Sequence, residues 1–272
     1  MFFSAKFSSD RLVYDTLLHV GVHVGHSLSC TNIYAAWMIL GLRQSIAIID
    51  LNKFLFVFRV SLSFLERCIF RKRSIWFVNQ DKTFEKYVRS PAISCGEFSS
   101  TIYWIRGLIS NFNMALKARR RLLYLSDLVK MRKSMLSYFN FKLWFLTRSV
   151  RPGLLFVSNV LKSNFAISEA FSSSIPCIGI VDTNCYSQHI TFALPGNDDS
   201  ISCVVFYNLL ISEFILYRKF VKVLVWFVYI RRPTRFVEFF SWALNGLFLR
   251  KFVSYSFLFD GSFSFNLYDL VK

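Results

Sequence analysis

The sequence predicts an α/β protein built on a doubly wound parallel sheet, and three observations lead there. Short, near-continuous apolar runs alternate with stretches of helical periodicity. Those runs are apolar on both sides, so they need cover on both faces, which crossover helices provide in parallel sheets. Hydrophobic residues make up 54% of the 272 residues and charged residues 18%, a balance that supports a buried core and excludes a disordered chain.

The elements follow in order. Ser9 to Val20 reads as a short helix with Leu12, Leu17, Leu18 and Val20 apolar. Gly21-Val22-His23-Val24-Gly25-His26 reads as a turn, its two glycines marking a bend where backbone closely approaches something else. Ser45 to Leu51 reads as a buried strand. Asn52 to Arg71 reads as a helix with Phe54, Val57, Phe58, Leu62 and Leu65 on its apolar side. Ser74 to Val78 is a second strand, and Asp81 to Ser90 a short helix ended by Pro91. Ile93 to Glu97 reads as a short strand, and Ile102 to Met114 as a helix carrying Tyr103 and Trp104. Further on come a strand at Leu154 to Ser158, a helix at Ser163 to Ser173 and a strand at Cys177 to Asp182. A short strand at Ile190 to Leu194 and a closing helix at Ser200 to Leu216 complete the alternation. Right-handed crossovers make this a Rossmann-like or flavodoxin-like core.

Two segments break the rhythm. Asn113 to Arg151 holds ten Lys and Arg against one acid, Asp127, on helix-compatible sequence, and reads as an inserted basic α-helical hairpin. Residues 218–272 are aromatic and basic and read as a C-terminal extension. The expected organisation is therefore 1–112 and 152–217 as two parts of one core, 113–151 as the hairpin and 218–272 as the extension.

The charge balance points to a polyanionic partner. Lys and Arg number 33 against 16 Asp and Glu, a net charge of +17 that self-repels unless neutralised. Nucleic acid is the commonest neutraliser and an anionic membrane the rival. In the hairpin, Lys117, Arg119, Arg120, Arg121, Arg132 and Lys133 are the expected phosphate contacts, since guanidinium forks pair with phosphate oxygens. The bland alternative, a solvated helix face, is weakened by the near absence of balancing acids. In the tail, Arg231, Arg232, Arg235, Arg250 and Lys251 are expected to anchor the extension to RNA or a neighbouring subunit.

Other motifs carry less. There is no Gly-rich phosphate loop and no Gly-x-Ser-x-Gly elbow, so the sequence makes no positive case for an enzyme, a cofactor or a small-molecule substrate. His19, His23, His26 and Cys30 are the most metal-like set. The glycines among them interrupt any helix, so turn or RNA-facing histidines are expected and no metal. Asp182, Asp198 and Asp199 form a carboxylate set on paper, but Pro195-Gly196-Asn197-Asp198-Asp199 precedes an apolar helix, and capping is the simpler account. The six cysteines are scattered without a Cys-x-x-Cys pair and read as buried free thiols in a reducing compartment. Mean hydropathy is +0.41, yet no transmembrane span is expected. Ile201 to Tyr217 is interrupted by Glu213 and carries Ser202, Asn208 and Ser212, while Phe220 to Ile230 contains Lys222 and is too short. Met1 to Arg11 lacks a clear signal peptide. The 32 phenylalanines fit an AT-rich, organellar coding bias, and an organelle-encoded protein needs no import signal.

Specific strings, in order, resemble the bacterial-type small-subunit ribosomal protein S2 family. Gly21 to His26 resembles its Gly-x-His-Phe-Gly-His signature, and Ile48 to Lys53 its Ile-Ile-Asn/Asp-Leu-Glu-Lys stretch. Ile75 to Val78 is similar to its second strand, and Tyr103 to Phe112 to its Arg-Trp-Leu-Gly-Gly-Met-Leu-Thr-Asn-Trp segment. Pro152 to Val157 resembles Leu-Pro-Asp-Ala-Leu-Phe-Val, Ile175 to Asn184 resembles Ile-Pro-Val-x-Ala-Ile-Val-Asp-Thr-Asn, and Pro195 to Ser200 resembles Pro-Gly-Asn-Asp-Asp-Ala/Ser. The resemblance, over residues 12–216, implies a Rossmann-like core with a helical hairpin. It also implies a place at the head–body junction of the small ribosomal subunit, against rRNA and neighbouring proteins. It makes His23, His26, Trp104, Arg106 and Asn111 further candidate RNA contacts. The segment between Phe112 and Pro152 is shorter than usual for the family. Arg106 stands for a Gly, Phe112 for a Trp, and Ser158-Asn159 for a commonly acidic pair. This drift, with the Phe bias, resembles mitochondrial versions. The expectation is a non-catalytic part of the mitochondrial small subunit. The rivals are a nucleotide- or metal-dependent enzyme on the same fold and a membrane-surface protein anchored by the tail.

Overall fold

A computed structural model describes residues 13–101, 104–114, 116–117 and 150–230, with side chains to residue 222. Gly21–Leu216 form one compact unit, and the described residues on either side of it fall in a second. In the second unit, residues 13–20 form a helix, α1.

The first unit holds two sheets. Three strands, β1 (Val24–Ser27), β2 (Ile39–Arg43) and β3 (Ile46–Ile49), make an antiparallel sheet with β3 in the middle. Gln44 and Ser45 join β2 to β3 with φ of 50° and 66°, the left-handed pair that a two-residue hairpin requires. The other sheet is parallel throughout. Its strands are β4 (Ser74–Asn79), β5 (Phe98–Thr101), β6 (Pro152–Val157), β7 (Cys177–Val181) and β8 (Phe192–Pro195), in the spatial order β5-β4-β6-β7-β8. Relabelled from its own first strand, that order is the flavodoxin-like one, whose direction reverses between β4 and β6. The expected doubly wound α/β class is the observed one.

Helices cover the parallel sheet. Helix α2 (Leu51–Phe70) starts where the Asp50 carboxylate accepts the Asn52 N–H at 2.9 Å. Phe54, Phe58, Leu62, Leu65 and Ile69 recur at helical spacing and are buried, and α2 lies against β4, β6 and β8. On the sheet itself, side chains alternate. Trp76, Val78, Leu155 and Val157 join Ala166, Ile167 and Ala170 of α4 (Asn164–Ser172) in one apolar cluster. Phe77 and Phe156, one residue out of step, meet edge-on at 5.4 Å. Helix α5 (Ile201–Ile230) brings Tyr207 within 6.0 Å of the Phe54 ring.

Several sequence expectations shift. Val24 to His26 is strand, not turn, and Ile46–Ile49 belongs to the antiparallel sheet, not the parallel one. Pro91 lies inside α3 (Glu85–Ser94) and does not end it. It forfeits one backbone bond, but one further turn closes with the Ser94 hydroxyl and the Cys95 N–H donating to the Pro91 carbonyl at 2.8 and 3.2 Å. The strand expected at Ile93 to Glu97 begins only at Phe98, because α3 takes Ile93 and Ser94. Residues 106–111 are turns instead of helix. The last strand starts at Phe192, and α5 runs well past Leu216, since no Gly or Pro interrupts the chain between Ile201 and Arg232.

Among the described residues, one helical stretch, Ile201–Lys222, is long and apolar enough to cross a membrane, and half of it is buried inside the protein. Cys203, Asn208 and Ser212 are buried on it, with Asn208 donating to the Val204 carbonyl at 2.7 Å and accepting from Ser158 Oγ at 3.1 Å. Those polar contacts with the sheet mark a core helix. All six cysteines are free; Cys30 is exposed and the other five are buried. Burial pushes the Cys177 and Cys185 thiols up to about 12.

Phe156, fully buried on the central strand, tests the packing. Phe156→Ala is expected to cost roughly 3–5 kcal/mol in chemical denaturation. A loss below about 1 kcal/mol would show a sheet that collapses around the gap.

Candidate functional site

Two constellations gather the candidate residues that the structure describes. The first surrounds the C-terminal end of β7. Asp182 follows the strand directly, and its Oδ1 accepts the N–H and, at 3.1 Å, the hydroxyl of Thr183. Thr183 Oγ1 accepts the His26 N–H at 2.9 Å, and the Thr183 carbonyl accepts the Asn32 N–H at 2.8 Å. Thus β1 and the segment after it are stitched to the end of β7. His26 sits between carboxylates: Nδ1 is 3.3 Å from Asp182 Oδ1, and Nε2 is 3.0 Å from Asp199 Oδ2 and 3.1 Å from Asn184 Nδ2. Asn197 completes the clasp, donating from its backbone to the Val22 carbonyl at 3.3 Å and from Nδ2 to the Gly21 carbonyl at 3.4 Å.

The two glycines of this stretch have separate reasons. Gly21 has a φ of +90° and opens the turn into β1. At Gly25 the reason is room: a Cβ would stand 2.7 Å from Thr183 Cγ2 and 3.0 Å from the Ala47 carbonyl oxygen. The close approach expected from the sequence occurs at Gly25.

Electrostatics follow the geometry. Burial by itself would lower the His26 pKa, but Asp182, then Asp199 and Asp198, outweigh it and raise it above 6.5. Asp198 is buried, and its carboxyl is pushed up to about 7 by that burial and then by Asp182 and Asp199. With carboxylate oxygens beside both ring nitrogens, His26 is held from two sides, and its protonated form is the one these neighbours favour. The capping expectation needs correction accordingly. Asn197 Oδ1 accepts the Asp199 and Ser200 N–H groups at 3.0 and 3.2 Å, but Asp182 and Asp199 turn to His26.

Among the described residues no three His, Cys, Asp or Glu side chains are arranged to hold a metal. His19 lies on α1 and is exposed, His23 is partly buried, and Cys30 is exposed. The crevice where a doubly wound sheet usually takes its ligand lies beyond the ends of β4 and β6. Here the chain fills it with its own polar groups. Lys162 pairs with Asp81, Asn79 Oδ1 accepts the Asp81 N–H at 3.2 Å, and Asn159 Oδ1 accepts the Lys162 N–H at 3.0 Å. Burial opposes the Asp81 charge, but Lys162 and Thr83 outweigh it and lower its pKa.

The second constellation is the loop at 104–111. Trp104 and Phe112 pack against the sheet cluster that includes the buried Leu108 and Ile109. The Glu169 carboxylate on α4 accepts the N–H groups of Gly107 and Ile109, at 2.5 and 3.1 Å, and Gly107 turns the chain at φ +83°. Arg106 is thereby displayed on the surface, its guanidinium carbon 4.0 Å from the centre of the half-exposed Phe165 ring. Asn111 is exposed, its N–H donating to the Gly107 carbonyl at 2.9 Å, and Lys117 is exposed beyond it. Glu169 was missed in the sequence because it lies 62 residues from Gly107 and belongs to no local motif. Arg119, Arg120, Arg121, Arg132 and Lys133, with Arg231, Arg232, Arg235, Arg250 and Lys251, lie outside the described residues.

Comparison with known proteins converges on one family. The profile of the family described as "Ribosomal protein S2" matches residues 17–216. The "Small ribosomal subunit protein uS2" of Sulfurimonas denitrificans is 33% identical over 202 residues, covering 69% of this chain and 78% of its own length. The "Small ribosomal subunit protein uS2m" of Bos taurus is 33% identical over 185 residues, covering 68% of this chain and 55% of its own. The uS2 of Neorickettsia sennetsu is 28% identical over 221 residues, or 76% of this chain and 74% of its own.

Two measurements check the clasp. Gly25→Ala should destabilise the chain by about 1–3 kcal/mol, and adding Thr183→Ser, which removes Cγ2, should restore part of the loss. Asp198 holds its proton more tightly folded than unfolded (about 7 against 3.8), so its contribution is full below about pH 4 and lost as pH rises to 7. The raised pKa of His26 adds a contribution present below 6.5 and lost as pH rises through the folded value. Urea denaturation at stepped pH should therefore show Asp198→Asn gaining roughly 1–3 kcal/mol on the wild type between pH 4 and 7. A pH-independent difference between the two would contradict it.

Proposed function

The chain belongs to the ribosomal protein S2 family, a family of small-subunit proteins that are structural and not enzymes, and from that premise we propose that it is an rRNA-binding part of the mitochondrial small ribosomal subunit. The carrying observation is where the charge lies. Residues 13–112 and 152–216 hold twelve Lys and Arg against eleven Asp and Glu, a nearly neutral core. Residues 113–151 hold ten against one, and 217–272 hold nine against three. The excess is confined to segments appended to the core, as expected of a packed platform that presents cationic arms to a polyanion. Such arms bind phosphates with little reading of bases.

The proposed contacts are Lys117, Arg119, Arg120, Arg121, Arg132 and Lys133, with the displayed Arg106 and Asn111 beside them and Trp104 holding their loop. His26 is taken up by its carboxylates, so its role is to fasten the loop that carries His23. Arg231, Arg232, Arg235, Arg250 and Lys251 anchor the extension to rRNA or a neighbouring protein. The family resemblance supports reading the head–body junction of the small subunit as the proposed location. The mitochondrial assignment rests on the 32 phenylalanines and on the departures at Arg106 and Phe112. A bacterial and a mitochondrial relative are each 33% identical to the chain.

Sucrose-gradient sedimentation of lysed, purified mitochondria should place the native chain with small subunits. Recovery in free, slowly sedimenting fractions would sink the proposal. With a small-subunit rRNA transcript, changing Arg119, Arg120 and Arg121 together to Gln should lower the slope of log affinity against log salt by about two to three. An unchanged slope would remove those residues from the phosphate contacts.

A further inference from the structure

The antiparallel sheet ends in an edge that the rest of the described fold leaves unused. Because β3 lies between β1 and β2, one side of β2 has no neighbouring strand among the described residues. The two-residue turn at Gln44-Ser45 makes Arg43 and Ile46 the closing, doubly bonded pair. The next pair, Leu42 with Ala47, is then the kind whose main-chain groups face away from each other. The N–H and C=O of Leu42 accordingly point out along the free edge.

The side chains around that edge are apolar. Leu40 is 69% exposed, Leu42 55%, and Ile33, in the turn of 3-10 helix leading into β2, 89%. Tyr34 and Trp37 are exposed in the same turn. Between Ile33 and Ile46 the sole charged residue is Arg43. Proteins normally blunt a free edge with lysines, prolines or covering loops. Here the one irregularity, a bulge between Ile39 and Gly41, sits at the far end of the strand and leaves Gly41 to Arg43 open.

We propose that an extended segment of a neighbouring small-subunit protein adds to β2 as a fourth strand, with apolar side chains laid against Leu40 and Leu42. Main-chain donors and acceptors in strand register are answered by another extended backbone. RNA phosphates would find a single cation in this stretch, and a base stacked on Tyr34 or Trp37 would leave the outward N–H and C=O of Leu42 unanswered. The identity of the particle that supplies the partner rests on the ribosomal reading above; the edge itself does not.

Hydrogen exchange and cross-linking on native small subunits test this. The Leu42 amide should exchange freely in the purified chain and at least about 100-fold more slowly in the subunit. A benzophenone side chain at position 40 should link to an extended peptide of another subunit protein. Leu42→Pro removes an N–H that the fold itself does not use. It should leave the free chain's melting unchanged while weakening incorporation by about five- to ten-fold, whereas Leu42→Ile, which keeps both the N–H and an apolar side chain, should incorporate normally. A link to RNA, to this same chain or to a second copy of it would overturn the proposal. So would free exchange of the Leu42 amide in subunits that contain the chain, which would leave the ribosomal reading intact. Absence of the chain from particles would overturn both.

Discussion

The architecture depends on one clasp, the His26 ring set between the carboxylates of Asp182 and Asp199. Two sheets of different kinds must be held in register although no strand runs from one to the other. The clasp solves this at the C-terminal end of β7, where Thr183 accepts two N–H groups, that of His26 on β1 at its hydroxyl and that of Asn32 at its carbonyl. The contact is close enough to forbid a methyl group at position 25. Charges so placed stabilise only as far as geometry and further hydrogen bonds allow: Nε2 lies close to both Asp199 and Asn184, whereas the buried Nδ1, 3.3 Å from Asp182, makes no well-aligned hydrogen bond. The arrangement also explains why a histidine flanked by three aspartates need not signal catalysis. Both ring nitrogens face carboxylates, and the neighbouring hydroxyl of Thr183 is bonded to Asp182.

What the sequence disclosed depended on whether a residue's local surroundings matched its global role. Strands β4, β6 and β7 were legible because Ile75–Val78, Leu154–Val157 and Cys177–Val181 are apolar on both faces and buried on both. Strand β5 was not, because Ser99, Ser100 and Thr101 are buried polar residues whose backbone pairs with β4. Its edge is pinned by Glu97, which accepts the Ile75 N–H at 3.0 Å. Strands β1 and β2 were hidden by glycine and by exposure: Gly25 reads as a turn, yet it is a strand residue squeezed for space. The helix expected over Ile102 to Met114 failed for a nonlocal reason, since a carboxylate on α4 captures the amides of Gly107 and Ile109 and opens a loop.

The candidate site was legible by residue and not by arrangement. His26, Asp182 and Asp199 were each visible in the sequence, but His26 and Asp182 are 156 positions apart in the chain, and no spacing rule joins them. The carboxylates looked like helix caps because the Pro-Gly-Asn-Asp-Asp string does precede a helix. Asn197 alone keeps that local role. The polar contacts among Lys162, Asp81, Asn79 and Asn159 near the ends of β4 and β6 were likewise beyond local patterns.

The cysteines give the molecule an internal gauge. Five are sealed inside and one stands open to solvent, and the sealed Cys177 and Cys185 have almost no reactive thiolate at neutral pH. A native copy therefore offers an alkylating probe one sulfur, whereas a copy whose interior has opened offers several. Mass added per molecule thus counts the intact fraction in a crude preparation, without any dye, tag or measure of activity.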